Sequence, residues 1–322
     1  MGRTYTKIND AILARLRAIV GDENVLTSAE AREPYSHDEV AEIRHEPEAV
    51  VRVSTAQEVA GIMRLAQEAG FPVTPRGAGQ GLSGGAVPAV GGLVLSLEKM
   101  NRILEIDQEN LMATVEPGVI TGNIHREVEA LGLFYPPDPA SLDSCSIGGN
   151  VAENAGGPRA VKYGVTRHYV CGLEAVLPSG DILQLGGKLV KDVTGYDLLQ
   201  LLLGSEGTLA IVTKIILRLV PLPKVRVDLL VPFKDFRAAS DTVSAIVDLA
   251  KKEAYFHGLA TIEMIEQALA SNPRGMPLVK QALVLIDGFR WLDEPSGWFR
   301  LLAICKHGLP KALDKVLAVA GG

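Results

Sequence analysis

Short apolar runs alternating with amphipathic segments set out the chain. Asn9 stands where a helix cap is expected, and Ile12, Leu13, Leu16, Ile19 and Val20 then share one helical face until Gly21. Thr27–Glu46 is polar, contains Pro34, and reads as extended. Ala49–Val53 reads as a strand and Ala56–Glu68 as a helix, with Ser54 and Gln57 as a capping box and Gly70 as its stop. Phe71–Pro75 returns as a strand and completes a βαβ unit. Leu93–Leu97, Ile103–Ile106 and Leu111–Val115 follow as strands, with a turn at Asp107–Asn110, and then a helix over Thr121–Leu131. A hairpin is expected from Tyr169–Leu177 and Asp181–Leu185, a short helix at Tyr196–Leu203, and a long strand over Leu209–Val220.

Pro221-Leu222-Pro223 is the best linker. Beyond it, Val225–Val231 reads as a strand and Phe236–Lys252 as an amphipathic helix. Gly258–Met264 and Ala282–Asp287 are strand candidates, and Ile265–Ala270 and Gly297–Lys306 helical ones. The expected organisation is an N-terminal helix and arm (1–45), a domain over 46–223, and a partial domain over 224–322. The fold class is α+β, with a ferredoxin-like order in the last part.

Glycine distribution brings in the chemistry. Pro75–Gly85 holds five glycines in eleven residues, which removes Cβ atoms from a backbone that must approach something closely. The reading is a nest of N–H groups around a phosphate or pyrophosphate, with a hydroxyl from Ser83 and a charge from Arg76; a flexible surface loop is the alternative. Gly79–Gly84 matches G-x-G-x-x-G, yet no helix follows. Gly84–Gly92 cannot sustain one, and the next element is a strand. A Rossmann site is therefore excluded. A second cluster, Ser146–Gly157, mixes small residues with two amides, suiting either a planar ligand or tight helix packing. A third small-residue turn is Gly204–Thr208.

Composition narrows the classes. A net charge of −6 over 322 residues argues against nucleic acid. The polar N-terminus lacks a signal-peptide core, and no apolar run reaches the roughly 20 residues of a bilayer span. Cys145, Cys171 and Cys305 are odd in number and lack C-x-x-C spacing, which fits a reducing, cytoplasmic compartment. Cys145 reads as a small packing residue. His37, His45 and His125 read as exposed, and no metal-ligand spacing is present. Three glycine loops with no catalytic triad or carboxylate pair fit a flavin, which carries its own hydride acceptor.

Pro75–Gly85, Pro136–Ser141, Ser146–Gly157, Tyr163–Val165 and Gly204–Val212 together resemble the vanillyl-alcohol oxidase type of FAD-binding domain. They are most similar to the flavin subunit of glycolate oxidase and to D-lactate and D-2-hydroxyglutarate dehydrogenases. The resemblance runs from Glu46 to Pro223 and touches Thr261–Gln267. It implies a two-subdomain FAD-binding domain followed by a shortened ferredoxin-like cap, and oxidation of a 2-hydroxy acid such as glycolate or D-lactate. Backbone groups of Arg76, Gly77, Ala78, Gly79, Gln80 and Gly81, with Ser83 and Gly84, would hold the pyrophosphate. Asp138 and Ser141 would line the adenine and ribose end. Ile147, Gly148, Gly149, Asn154 and Gly156 would pack near the flavin, and Glu206 and Ile211 would close the groove. Gln80 stands where some relatives carry a flavin-linking histidine, so the FAD is expected to be non-covalent. The family's histidine-rich, metal-binding cap motif has no counterpart here, and His257 and His307 are isolated. No catalytic residue is assigned; His125 and His168 are the nearest histidines. The resemblance also implies a partner, an iron–sulfur or other electron-transfer subunit. An FAD-binding subunit that is inactive without that partner is the second reading.

Overall fold

The computed structural model describes residues 5–40, 42–189, 191–223, 225–233, 235–256 and 297–305. The chain divides into two compact units, Met1–Leu222 and Pro223–Gly322.

In the first unit, α1 (Asp10–Val20) starts where the Asn9 side chain accepts from the Ile12 N–H, and buries Ile12, Leu16 and Val20. Strand β1 (Val25–Leu26) follows. The next stretch is not simply extended. Ser28 caps a single turn, α2 (Ala29–Arg32), by accepting from the Ala31 N–H, and a 3₁₀ turn continues over Glu33–Tyr35. Helix α3 (Ala56–Ala69) joins β2 (Ala49–Arg52) to β3 (Val73–Arg76). Its capping box uses Thr55 and Glu58 rather than Ser54 and Gln57. Thr55 Oγ1 accepts from the Glu58 N–H, and Glu58 Oε2 accepts from the Ser54 N–H at 2.6 Å. The N3 position needs a side chain long enough to reach back, and Glu58 supplies a charged one. Gly70, at φ 76°, closes the helix in the left-handed region. Strand β4 (Leu93–Ser96) then inserts between β2 and β3, parallel to both, giving the order β1-β2-β4-β3. Strands β2 and β4 are buried on both faces, as their unbroken apolar runs require.

The second half of this unit is an antiparallel sheet, β5-β6-β10-β8-β9. Its strands are β5 (Ile103–Asp107), β6 (Met112–Val115), β8 (Val170–Val176), β9 (Ile182–Gly186) and β10 (Ile211–Arg218). Lys188, just past β9, bridges Glu105 at 2.6 Å and Asp107 at 2.7 Å on β5. These ion pairs link the segment after one edge strand to the other edge strand. Helix α4 (Thr121–Glu129) and the two-residue strand β7 (Leu133–Phe134) precede α5 (Ile147–Glu153) and α6 (Ala160–Tyr163); α7 (Leu198–Leu202) lies after β9. The long apolar run at 209–220 is split. Strand β10 ends at Arg218, and β11 (Val220–Pro221) leaves to pair with β7. Each sheet carries its own apolar core. One is centred on Leu16, Ile62, Leu93 and Leu95, the other on Ile124, Tyr135, Ile147, Leu173 and Ile215.

In the second unit, β12 (Val225–Phe233) pairs in parallel with β13 (Gly297–Cys305), and α8 (Phe236–Phe256) packs against both. The helix expected over Gly297–Lys306 is therefore a strand. The run Trp-Phe-Arg-Leu-Leu-Ala-Ile is aromatic and nearly continuous in its apolar character, which suits a strand in a parallel pair. The elements expected at 258–264, 265–270 and 282–287, and most of the ferredoxin-like cap, lie outside the described residues.

Candidate functional site

A groove of about 270 Å³ lies in the first unit between its two sheets. One wall is the glycine loop after β3. At its root Arg76 turns away from the groove. Its buried guanidinium donates to the carbonyls of His37 at 2.7 Å and Pro34 at 3.1 Å, and stacks over the Tyr35 ring. The charge expected to face a phosphate is thus engaged behind the loop. Gly79, at φ 73°, passes directly over this guanidinium; a Cβ there would sit 2.1 Å from Nη2. Among the described residues no protein acceptor meets the N–H groups of Gly79, Gln80, Gly81 and Leu82. These are unpaired donors on a wall stripped of side chains, the arrangement that binds an anion.

The opposite wall is α5 with the turn before β10. Ser146 caps α5 by accepting from the Gly149 N–H, and the same oxygen accepts from Ala78 N–H at 3.3 Å. One hydroxyl therefore ties the two walls together. A Cβ on Gly77 would lie 2.3 Å from it. Gly148 packs on Pro117, where a Cβ would fall 2.6 Å from the proline Cβ. Buried Asn150 donates to Thr121 Oγ1 at 2.7 Å. The turn 204–207 is fastened onto α5 by Gly204 N–H to Val151 O and Glu206 N–H to Ala152 O. Glu206 adopts φ 53° to make that bond, a strained backbone of the kind that collects at functional sites.

Of the residues singled out from sequence, Arg76, Gly77, Ala78, Gly79, Gln80, Gly81, Ser141, Gly148, Gly149, Glu206 and Ile211 line this groove. Ser83, Gly84, Asp138, Ile147, Asn154 and Gly156 lie behind it. Ser83 donates to Glu153 at 2.8 Å, and Gly84 N–H donates to Asp38. Asp138 is buried and paired with Arg159 at 3.1 Å. Ile147 is fully buried in the core. Asn154 closes α5 in the left-handed region and accepts from Arg167 N–H. Gly156 makes room for Val165. The groove also recruits Ser146, Glu153 and Ser205, which lie within the small-residue clusters singled out from sequence but were assigned no individual role there, and Pro117, which lies outside every such cluster. Pro117 becomes visible only when distant segments meet. A second cavity of about 380 Å³ shares Gly77, Ala78 and Ser146 with the groove and reaches Glu98, Asn101 and Gly118. Space on both sides of Gly77–Ala78 suits an elongated ligand with an anionic centre.

His125 is buried rather than exposed. Its Nε2 donates to Pro137 O at 2.9 Å, and its ring packs edge-on to Phe134 and Tyr135. An apolar aromatic surround explains the discrepancy: on one amphipathic face the imidazole serves as a core residue. Exposed His168 accepts from Val165 N–H through Nδ1. Neither histidine lines the groove. Cys145 is buried beside Thr121 and lines the groove. Among the described residues no three His, Cys, Asp or Glu side chains converge as a metal site, and no helix is long and apolar enough to cross a membrane.

Residues 47–186 match the family described as FAD binding domain. The chain is 44% identical over 306 residues to the glycolate oxidase subunit GlcD of Bacillus subtilis, covering 94% of this chain and 64% of that protein. It is 42% identical over 240 residues to a D-lactate dehydrogenase of Anaerostipes hadrus, covering 74% of this chain and 50% of that one. The chain thus spans about half to two thirds of the length of the curated relatives it matches. Among solved structures, an alkyldihydroxyacetonephosphate synthase superposes with a TM-score of 0.67 at 20% identity, over 90% of this chain and 55% of that one. Residues 47–186, which supply much of the groove's lining, thus match an FAD-binding domain, and the chain is similar in fold to that synthase.

Proposed function

We propose that the chain binds FAD non-covalently in this groove and works in the dehydrogenation of a 2-hydroxy acid such as glycolate or D-lactate. The observation that carries the reading is the set of unpaired N–H groups at Gly79–Leu82, on a glycine-rich loop that lines the groove. Names of relatives support the substrate class: a glycolate oxidase subunit and a D-lactate dehydrogenase. Bound there, FAD supplies the acceptor for the hydride leaving the substrate's hydroxyl-bearing carbon.

The chain's own residues bind and orient. The loop 76–81 meets the pyrophosphate with backbone donors, which need no reorganisation and cost no side-chain entropy. Ser141 lines the nucleotide end. Gly148 and Gly149 let the backbone of α5 approach a flat ring, and Glu206 and Ile211 close the groove beside it. Gln80 is itself held, donating to Glu39 and accepting from Ser144, and its amide offers no nucleophile for a covalent link to the flavin. Ser83, Gly84, Asp138, Ile147, Asn154 and Gly156 act from behind, by keeping these walls in place. Free Cys145 and Cys171 fit a cytoplasmic setting.

A second reading has the chain as an FAD-binding subunit that turns over only with an electron-transfer partner, such as an iron–sulfur chain. The word "subunit" in the name of the 44% identical relative favours it. One experiment addresses both. The purified chain is supplied with FAD, its visible spectrum is recorded, and glycolate and D-lactate are added anaerobically. Flavin bands that bleach with one acid support the first reading. Bands that bleach only with a partner chain present support the second. Absence of flavin bands after FAD is supplied sinks both.

A further inference from the structure

Among the described residues the N-terminal arm lines no part of the groove, yet it bonds the glycine loop at Arg76, Gln80, Gly81 and Gly84. Arg76 donates to His37 O and Pro34 O. Glu39 N–H donates to Gly81 O at 3.2 Å, and Gln80 Nε2 donates to Glu39 Oε1 at 2.9 Å. Asp38 makes a bond with each of its two carboxylate oxygens. Its carboxylate is 6% exposed, accepting from Val40 N–H through Oδ1 and from Gly84 N–H through Oδ2, both at 2.9 Å. One oxygen thus fixes the arm's own turn, and the other fixes the far end of the loop. A glycine-rich loop loses more freedom on ordering than any other sequence. Bonds that impose the bound shape beforehand remove that cost from ligand binding.

We propose that Asp38 is a positioning residue for FAD: by anchoring Gly84 it holds the N–H groups of the glycine loop in the array that receives the pyrophosphate. The inference rests on the reading of the groove as the FAD site. It is separate from the family motif, because Asp38 lies outside residues 47–186.

The test is FAD titration of the full-length apoprotein, followed by flavin fluorescence, for the wild type, Asp38→Ala and Asp38→Asn. Folding is checked by circular dichroism at the titration temperature. Asp38→Ala removes a charge-assisted bond to the loop, and Kd for FAD should rise about tenfold or more. The isosteric Asp38→Asn keeps one acceptor but turns an NH₂ toward the other N–H, and should lie between the two. If Asp38→Ala does not accumulate as folded protein, the comparison of wild type with Asp38→Asn decides. A folded variant whose Kd stays within twofold of the wild type overturns the proposal, even where its unfolding temperature has dropped. That pattern is a purely structural role. A wild-type chain that fails to bind FAD overturns instead the reading of the groove, before any variant is compared.

Discussion

The two walls of the groove are both rich in glycine, and the glycines do opposite things. On the loop after β3, a Cβ at Gly81 would meet only ordinary packing distances, 3.4 Å to Glu153 and 3.9 Å to Asp38. On the wall of α5, a Cβ at Gly148 would press 2.6 Å from Pro117, and just beyond that wall one at Gly157 would lie 1.9 Å from Asp138 O. On the first wall Gly77 and Gly79 also pack on protein, against Ser146 and Arg76, whereas Gly81 leaves room for a ligand. The second wall keeps glycine to let protein pack on protein. The arm holds the loop through backbone groups of Gly81 and Gly84 and side chains of Arg76 and Gln80, while α5 is held by the side chains of Ser146, Asn150 and Asn154 and by backbone bonds from Gly204 and Glu206. A glycine-rich motif therefore has no single meaning, and the position a Cβ would take separates binding from packing.

The strongest way to break this comparison is to add a methyl group to the packing wall. Gly157→Ala and Gly148→Ala should each cost about 3 kcal/mol or more, because backbone on either side must move. Chemical denaturation of the apoprotein measures this. If either variant unfolds with the wild type, the distinction fails. Next in size is Asn150→Ala. It strips the buried Thr121 hydroxyl of its donor and should cost about 2 kcal/mol. A wild-type unfolding midpoint for this variant would show that side chains do not secure the wall.

Much of this was legible in the chain. The cap at Asn9, the stop at Gly70, the βαβ unit and the strand–loop–strand character of Pro75–Leu97 all follow from local chemistry, and local chemistry is what a sequence displays directly. Three features were not. The capping box slipped by one residue because Ser54 and Thr55 are both competent caps and Gln57 and Glu58 reach equally far; the helix begins at Ala56, which makes Thr55 the cap and Glu58 its partner. Arg76 reads as a phosphate ligand until His37 and Pro34, some forty residues earlier, are found beneath it. Asp138 reads as a groove residue until Arg159 claims it. In each case a partner distant in sequence, or a helix start one residue later, outweighs residue type.

On the binding wall the same added methyl should do something different. Gly81→Ala meets no backbone, so the unfolding midpoint should stay the same or rise slightly through loss of unfolded-state freedom. The methyl would enter the groove itself, and Kd for FAD should rise about tenfold, or about 1.4 kcal/mol. Fluorescence titration beside a denaturation curve separates the two effects. A destabilised Gly81→Ala with unchanged FAD affinity would put this glycine among the packing ones.

The smallest expected effect concerns how the packing wall responds to acid. His125 holds Pro137 O through Nε2–H, and so fixes the segment that leads to Ser141 in the groove. Its Nδ1 lies 3.8 Å from Glu129. Burial lowers its pKa, and nearby Arg159 lowers it too. The bond to Pro137 and the charges of Glu129 and Asp138 oppose this without overcoming it. A depressed pKa means that the unfolded chain takes up a proton more readily than the folded one. The stability His125 provides is thus complete above about 6.5, the ordinary value for the unfolded side chain, and is lost as pH falls below it. His125→Gln keeps a donor for Pro137 O but cannot be protonated. Between pH 7.5 and 5 the wild type should lose more stability than this variant, measured by denaturant midpoints in matched buffers. Equal losses would show that the acid response of this wall comes from other groups and that His125 serves only as a fixed donor.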